Sequence, residues 1–374
     1  MCRDDMAFNP SAPSTKLTVY HKRPTDVAWT NITDSGGINI VADWDGYSAK
    51  LSSSKSISLI INNVDGDNDN YFHIGDSIRV FAGFDTVYPQ PIIEGKIYPN
   101  NLQHGEGRIN VTVNDYITML SYEYLYLSAD AMNYNGWECA MAVLDVVEGL
   151  NGVPLTFSAS GSYDIMNYVV PANEVYGDPI SRLDVVKKLM NLMIDVDYVN
   201  LYRPMRYHYF QYDDYDGTTY TPRFRIIKET DPASSTANKV LDASVNAYSG
   251  SASSNDYFYN AIRIGESKNL VIQDDDSIGR YGRFERVLSK DYDQPVQNTD
   301  LASTLLYTYN KSTYSFNISV RDWYSFNLGD IVEVSNMRNG LLNGNHVVVE
   351  IKGSPSGGTI TLSNVMTDLS QYLS

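Results

Sequence analysis

Ten residues near the start of the chain, Tyr71–Val80 (YFHIGDSIRV), return near its end as Ser325–Val334 (SFNLGDIVEV). Phe72 corresponds to Phe326, Ile74 to Leu328, Gly75–Asp76 to Gly329–Asp330 and Val80 to Val334. Glycine tolerates positive φ and aspartate bonds nearby backbone amides, so Gly-Asp makes a tight turn. The alternation after it returns the chain to a half-buried strand. In each copy a lysine-containing strand follows, Ile92–Pro99 and Val347–Ser354, and then an alternating one, Arg108–Asp115 and Gly358–Asn364. A turn-plus-strand pattern can arise twice by chance, but the shared downstream order favours duplication. The expectation is a β-rich α+β chain: two related small β-barrel modules, N- and C-terminal, with mixed α/β middle domains between them.

The remaining sequence fits around these copies. Residues 1–15 are polar and aperiodic and read as a flexible N-terminal tail. The first β-barrel module is expected over 16–125, the mixed α/β middle over 126–257, and the second module with a preceding helix over 258–374. Trp137, Met141, Leu144 and Val147 recur at helical spacing. A second helix is expected with Asp178 as N-cap, Pro179 in the first turn, and Ile180, Leu183, Val186, Met190 and Met193 as its apolar stripe. A third is expected near Asp300–Lys311, with Leu301, Leu305 and Tyr309 on one face. Tyr198–Tyr220 reads as strands with a turn at Asp213–Gly217, and residues 231–257 as a long connection holding one short strand.

Charge narrows the function classes. The 374-residue chain has a formal net charge of −17, so it gains nothing from neutralising phosphates, and specific nucleic-acid binding is disfavoured. Some of that acid could instead line a channel through which DNA slides without sticking. No apolar run reaches the roughly 18 residues of a membrane span. The N-terminus also lacks a secretory signal, so the protein is expected in the cytosol until assembly or lysis. Its 30 tyrosines offer contact area with a polar tip, suited to strands and wet interfaces. The two cysteines, Cys2 and Cys139, support neither a disulfide framework nor a zinc site, and Cys139 reads as a small buried residue.

Few motifs could carry chemistry. Asp65, Asp67 and Asp69 alternate, and Asp76 falls twelfth from Asp65, the ligand spacing of a calcium loop. However, Asn70 replaces the sixth-position glycine and Asp76 already serves the repeated turn, so a polar hairpin loop competes with that reading. Asp274–Asp276 and Asp213, Asp214 and Asp216 read as solvated turns. His21, His73, His104, His208 and His346 show no metal spacing, and neither a G-x-S-x-G elbow nor a P-loop occurs. No catalytic, cofactor-binding or metal residue is assigned, no cofactor is expected, and the chain reads as non-enzymatic. A glycan-cleaving carboxylate pair, drawn from distant positions, has no specific support.

Several segments, taken in order, resemble one family. These are Asp43–Asn63 (DWDGYSAKLSSSKSISLIINN), Ile74–Phe81 (IGDSIRVF) with Ile92–Ile97 (IIEGKI), and Arg108–Leu120 (RINVTVNDYITML). Later come Asn260–Ser267 (NAIRIGES), Asp274–Ser289, Asp300–Tyr307 (DLASTLLY), Asn327–Val334 (NLGDIVEV) and Gly340–Ile351 (GLLNGNHVVVEI). The ordered set resembles the tail-hub or baseplate-hub proteins of tailed phages and contractile injection systems, over about residues 38–120 and 258–364. The resemblance implies a homotrimer forming a pseudo-six-fold ring in the virion tail, assembled in the host cytoplasm and open to DNA. It also implies a tail tube or distal tail protein on one face, a spike or fibre protein on the other, and a tape-measure protein ending inside. The alternative is a glycan- or receptor-binding tail-tip module, with its candidate aromatics in Tyr202–Tyr220.

Overall fold

A computed structural model describes residues 15–33, 38–83, 90–127, 134–149, 155–159, 170, 177–192, 194–196, 204–229, 231–244, 250–254, 258–264, 270–288, 299, 302–303, 305–307, 309–310, 314–338 and 340–365. Eight strands come first: β1 (Lys16–Lys22), β2 (Thr30–Asn31), β3 (Val41–Lys50), β4 (Ser56–Asn62), β5 (Ser77–Gly83), β6 (Gln90–Lys96), β7 (Leu102–Gly105) and β8 (Arg108–Asp115). The middle holds β9 (Tyr124–Leu127), α1 (Cys139–Glu148), β10 (Thr156–Ala159), β11 (Gly177–Ser181), α2 (Arg182–Leu192), β12 (Ile194–Val196), β13 (Pro204–Tyr215) and β14 (Tyr220–Lys228). Then follow β15 (Lys239–Asp242), β16 (Gly250–Ser254), β17 (Ala261–Ile264), β18 (Leu270–Gln273), α3 (Asp275–Tyr281), β19 (Glu285–Val287), β20 (Tyr314–Val320), β21 (Ile331–Ser335), β22 (Gly344–Ser354) and β23 (Gly357–Ser363).

The N-terminal strands and β15, β16 and β20 to β23 form one 14-stranded sheet. Its strands alternate as their burial requires: Ile57, Leu59 and Ile61 in β4 and Ile109, Val111 and Val113 in β8 point into one core. Both ends of the chain feed that core, with Phe316, Ile318, Ile360 and Leu362 packed in the same cluster. Backbone bonds also run from Ile32 to Val19, from Ile40 to Ile32 and from Asn62 to Ile40, linking β1 to the start of β3 and the end of β4.

The repeat extends to strand order and register. β8 lies between β4 and β6, with Asn114 opposite Ser56 and Lys96. β23 lies between β20 and β22, with Ser363 opposite Ser315 and Val347. β3 flanks β4 with Ser48 opposite Ser56, as β16 flanks β20 with Ser253 opposite Ser315. β5 pairs Ser77 with Lys96, as β21 pairs Ile331 with Val347. The turns match atom for atom. Gly75 N bonds Ile97 O and Gly329 N bonds Val348 O; Asp76 Oδ2 accepts from His73 N and Asp330 Oδ2 from Asn327 N, each at 2.9 Å.

The two copies are not identical in detail. Register equates Lys96 with Val347, not with Lys352. β22 runs unbroken through a stretch that the first copy divides into β6 and β7 around Pro99 and Asn100, the latter at φ 69°. The strands flanking β5 and β21 also run oppositely: β1 is antiparallel to β5, whereas β15 is parallel to β21.

Gly75 and Gly329 have φ of +94° and +83°, where a side chain is strained. Valine at either position is expected to cost about 1–3 kcal/mol. Gly329→Val should cost more, because its Cβ would come within 2.5 Å of Ile227 Cδ1 while that of Gly75 meets open space. Thermal unfolding of the two variants checks the order; equal losses would show that backbone strain alone decides.

A second core gathers the middle. α1 and α2 pack with the short 3₁₀ turn Tyr116–Ser121, one face of β13 and β14, and Ile262 and Ile264 of β17. Residues 258–264 therefore pack with the middle, while β15 and β16, from the expected connection, join the large sheet.

The first helix departs from expectation in its buried face and the second in its start, while Ile180, Val186 and Met190, expected on the apolar stripe of the second, are buried. α1 buries Cys139, Ala142, Val143, Val146 and Val147, leaving Trp137 and Met141 exposed. Small and β-branched residues at this spacing make the flatter face. α2 begins at Arg182, not after Asp178, which lies in β11 with Pro179. Its cap is Ser181: Asp184 N donates to Ser181 Oγ at 3.1 Å, and Ser181 Oγ donates to Asp184 Oδ2 at 2.7 Å, so the hydroxyl serves both the helix amide and the carboxylate. Met193 lies outside the described residues. Near the third expected helix, 302–303, 305–307 and 309 are helical and Ala302, Leu305 and Tyr309 are buried; Leu301 lies outside the described residues.

Candidate functional site

Two features tie the parts of the chain together. The first is a ladder between the halves, in which Glu350, Ile351, Lys352 and Gly353 of β22 pair with Lys50, Ala49, Ser48 and Tyr47 of β3. Trp323, fully buried, plugs this joint. Its indole stacks on Tyr47 at 4.9 Å and lies 5.9 Å from Trp44. Gly353 and Gly358 form its floor; a Cβ on either would stand 2.4 Å from the ring, so only glycine admits the indole.

The second feature is a buried polar seam where β13 crosses the N-terminal strands. Alternation in β13 places Tyr209, Gln211 and Asp213 on one buried side. Asp213 Oδ2 pairs with Lys55 Nζ at 2.8 Å, and its Oδ1 accepts from Glu94 N at 3.1 Å and Gln211 Nε2 at 2.8 Å. Gln211 also donates to Glu94 O and accepts from Tyr116 N. Glu94 receives Tyr116 OH at 2.9 Å and the Arg79 guanidinium at 2.7 Å. That guanidinium lies between the rings of Trp29 and Tyr220, at 4.3 and 4.4 Å. Lys55 N donates to Asp115 Oδ2 at 2.8 Å.

Burial lowers the Lys55 ammonium, but Asp213, Tyr47 and Asp115 together outweigh that effect and hold it above its ordinary value. Burial raises the Glu94 carboxyl, opposed by Arg79. Burial pushes Asp115 up to about 7, against the amide and ammonium of Lys55. An unfolded aspartate titrates near ~3.9. Between these values the folded chain binds more protons, so this contribution is complete below about pH 4 and is lost as pH rises through about 7. Urea midpoints are therefore expected to be lower at pH 8 than at pH 5, with a smaller difference in Asp115→Asn. An unchanged difference would assign the effect to other carboxyls raised by burial, Glu94 or Asp330.

The cleft beside these features is lined by Tyr47, Lys55, Phe210, Asp213, Trp323 and Leu328 and leaves about 20 Å³. That is room for about one water molecule, not a substrate.

The remaining sequence candidates disperse. Asp76, last of the calcium spacing, is buried with its Oδ2 on His21 Nε2 at 2.8 Å and on His73 N, while Asp69 accepts from Asn63 Nδ2. No group of three or more metal-capable side chains occurs among the described residues. Asp213 is not a turn residue but the seam's anion; the turn is made by Asp216, which accepts from Thr218 N and Thr219 N. Asp274 caps α3 through Ser277 N at 2.9 Å. His346 is buried against Phe316, and Cys139 is buried with its thiol pushed up to about 12 by desolvation. Tyr207, Tyr209 and Tyr220 are core residues, so the aromatics considered for glycan binding are largely occupied in packing; Tyr202 lies outside the described residues. No described helix is long and apolar enough to cross a membrane.

No protein-family model and no curated protein sequence matches the chain. Solved structures do. The tail protein from Neisseria meningitidis MC58 aligns with a TM-score of 0.58 at 12% identity, over 94% of this chain and 97% of its own. Prophage tail protein gp18 from Listeria monocytogenes EGD-e aligns at 0.55 and 10%, over 95% and 97%. The 43 kDa tail protein of prophage MuSo2 from Shewanella oneidensis aligns at 0.53 and 13%, over 95% and 98%. The chain thus has the fold of phage tail proteins. The likeness spans nearly the whole of each partner, so it concerns the complete arrangement of two linked strand sets and a middle, not one shared module.

Proposed function

We propose that the chain is a structural tail protein, a hub whose copies form a trimeric, pseudo-six-fold ring joining the tail tube to the tail tip. The observation that carries this reading is the duplication: two strand sets of the same order and register in one chain. Each set is a barrel module in this reading. Three such chains offer six similar units to a six-fold tube and three-fold symmetry to a spike or fibre, and closed cyclic symmetry is the usual form of a homo-oligomer. The tape-measure protein ends inside, DNA passes through, and the excess of acid keeps it from sticking. The role is architectural rather than enzymatic: the polar groups gathered at the seam are consumed by one another. Light scattering after gel filtration, with negative-stain averages of the same peak, tests the reading. A three-fold ring with a central hole is expected; a closed assembly of another symmetry would overturn it.

A further inference from the structure

Each strand set has half of the joint that links the two. The in-chain ladder uses β3 of the first set and the distal part of β22 of the second. Register gives both strands counterparts. The hairpin pair Ser354–Gly357 corresponds to Gly105–Arg108, so Leu102, Gln103 and His104 of β7 stand where Ile351, Lys352 and Gly353 stand in β22. Through β4 and β20, Ala252, Ser253 and Ser254 of β16 stand where Tyr47, Ser48 and Ala49 stand in β3. Among the described residues β7 pairs only with β8, and β16 only with β20. Two edges that match the two sides of an existing ladder are therefore left over, one in each set.

Resting on the hub reading, we infer that β7 of one copy adds to β16 of the next, antiparallel, with Leu102 opposite Ser254, Gln103 opposite Ser253 and His104 opposite Ala252. The partner is a second copy of this chain, because only this chain has been shown to present a β3-like edge to a β22-like one. The contact is head-to-tail, and a head-to-tail contact closes into a ring when its rotation divides a full turn. In a three-chain ring the in-chain and between-chain joints alternate.

A second observation agrees. Leu328, on the Gly-Asp turn beside the in-chain joint, is 5% exposed, whereas its counterpart Ile74 is 60% exposed. Leu328 lines the small cleft at the joint together with Tyr47, Trp323 and Phe210, and Ile74 would gain equivalent cover from the next copy. Asp69 stands where the second set has Trp323, so the between-chain joint lacks the indole plug and is the more polar, separable one.

Cysteine cross-linking of the full chain tests the pairing. Thr112 N bonds Asn101 O, so Gln103 also directs its amide to β8 and would be a non-hydrogen-bonded position of the new ladder. Such pairs have Cα atoms about 4.5 Å apart, within the roughly 4.4–6.8 Å of a disulfide. Gln103→Cys with Ser253→Cys, in a Cys2→Ser background, is expected to give covalent three-chain species on mild oxidation, and neither single variant should. Trimers by light scattering that never cross-link would overturn this joint and leave the hub reading standing. Cross-linked chains of no fixed number would support the joint and overturn the closed three-chain ring. A chain that remains monomeric and uncrosslinked at high concentration overturns both. Ile74→Asp, at an exposed site that leaves folding intact, should shift association to at least ten-fold higher concentration; unchanged association would count against the joint.

Discussion

Replacing Trp323 by alanine is expected to lower stability by about 3–5 kcal/mol, the range for removing a large buried aromatic. The loss should fall on the joint between the halves. The indole packs on Tyr47 and Trp44 from the first strand set and on the backbone of Gly353 and Gly358 from the second. Neither half alone can close the hole, because two glycines offer no side chain to collapse into it. Trp323→Phe should recover part of the loss, since the indole Nε1 makes no hydrogen bond whose removal would add to it. Urea unfolding gives the magnitude, and hydrogen exchange gives the place. Amides of the β3–β22 ladder should lose protection before those of the β4–β8 ladder. A loss under about 1 kcal/mol would mean that backbone pairing alone holds the halves together.

Breaking the Lys55–Asp213 pair should cost a similar amount, about 3–5 kcal/mol, because the remaining charge stays buried without a partner. Asp213→Asn is the cleaner variant, because its side-chain oxygen can still accept from Glu94 N and Gln211 Nε2 while Lys55 loses its counter-ion. Lys55→Met leaves the anion alone instead. The double variant should recover most of either loss, and the cycle isolates the pair from its neighbours. Simple addition of the two losses would show that each residue acts through other contacts, such as Lys55 Nζ to Ile92 O.

The repeat was legible because a Gly-Asp turn is a local demand: positive φ and a side-chain acceptor three residues from its amide can be read without knowing the rest of the fold. Strands β4, β8 and β23 were legible through their two-residue period. The seam was not. Lys55, Glu94, Gln211 and Asp213 are polar residues on buried faces, and the DDYDG string containing Asp213 has turn composition. Its partner Lys55 lies 158 residues away, beyond any spacing rule. The start of α2 is obscured for another reason. Asp178–Pro179 is a good generic helix opening, but Ser181 to Asp184 is the capping pair that the backbone uses. The stripe of α1 is hidden in the sequence for a further reason: the large residues Trp137 and Met141 face solvent, while the buried face is made of Cys, Ala and Val. Nothing near Trp323 announces its place; its floor is two glycines whose importance emerges only when β22 and β23 pair.

The ladder between β3 and β22 has a consequence for biogenesis. Tyr47 pairs with Gly353, so the ribosome makes about 300 further residues before the partner of β3 emerges. At about 5–20 residues per second that delay is roughly 15–60 s. Throughout it the nascent chain presents an open strand edge of the kind that captures foreign strands, and β7 of a neighbouring nascent chain, the counterpart of the β22 segment, has the geometry to fill it. Neighbouring ribosomes on one message therefore risk exchanging strands, and yield should depend on chaperone occupancy during translation more than on the final stability of the protein.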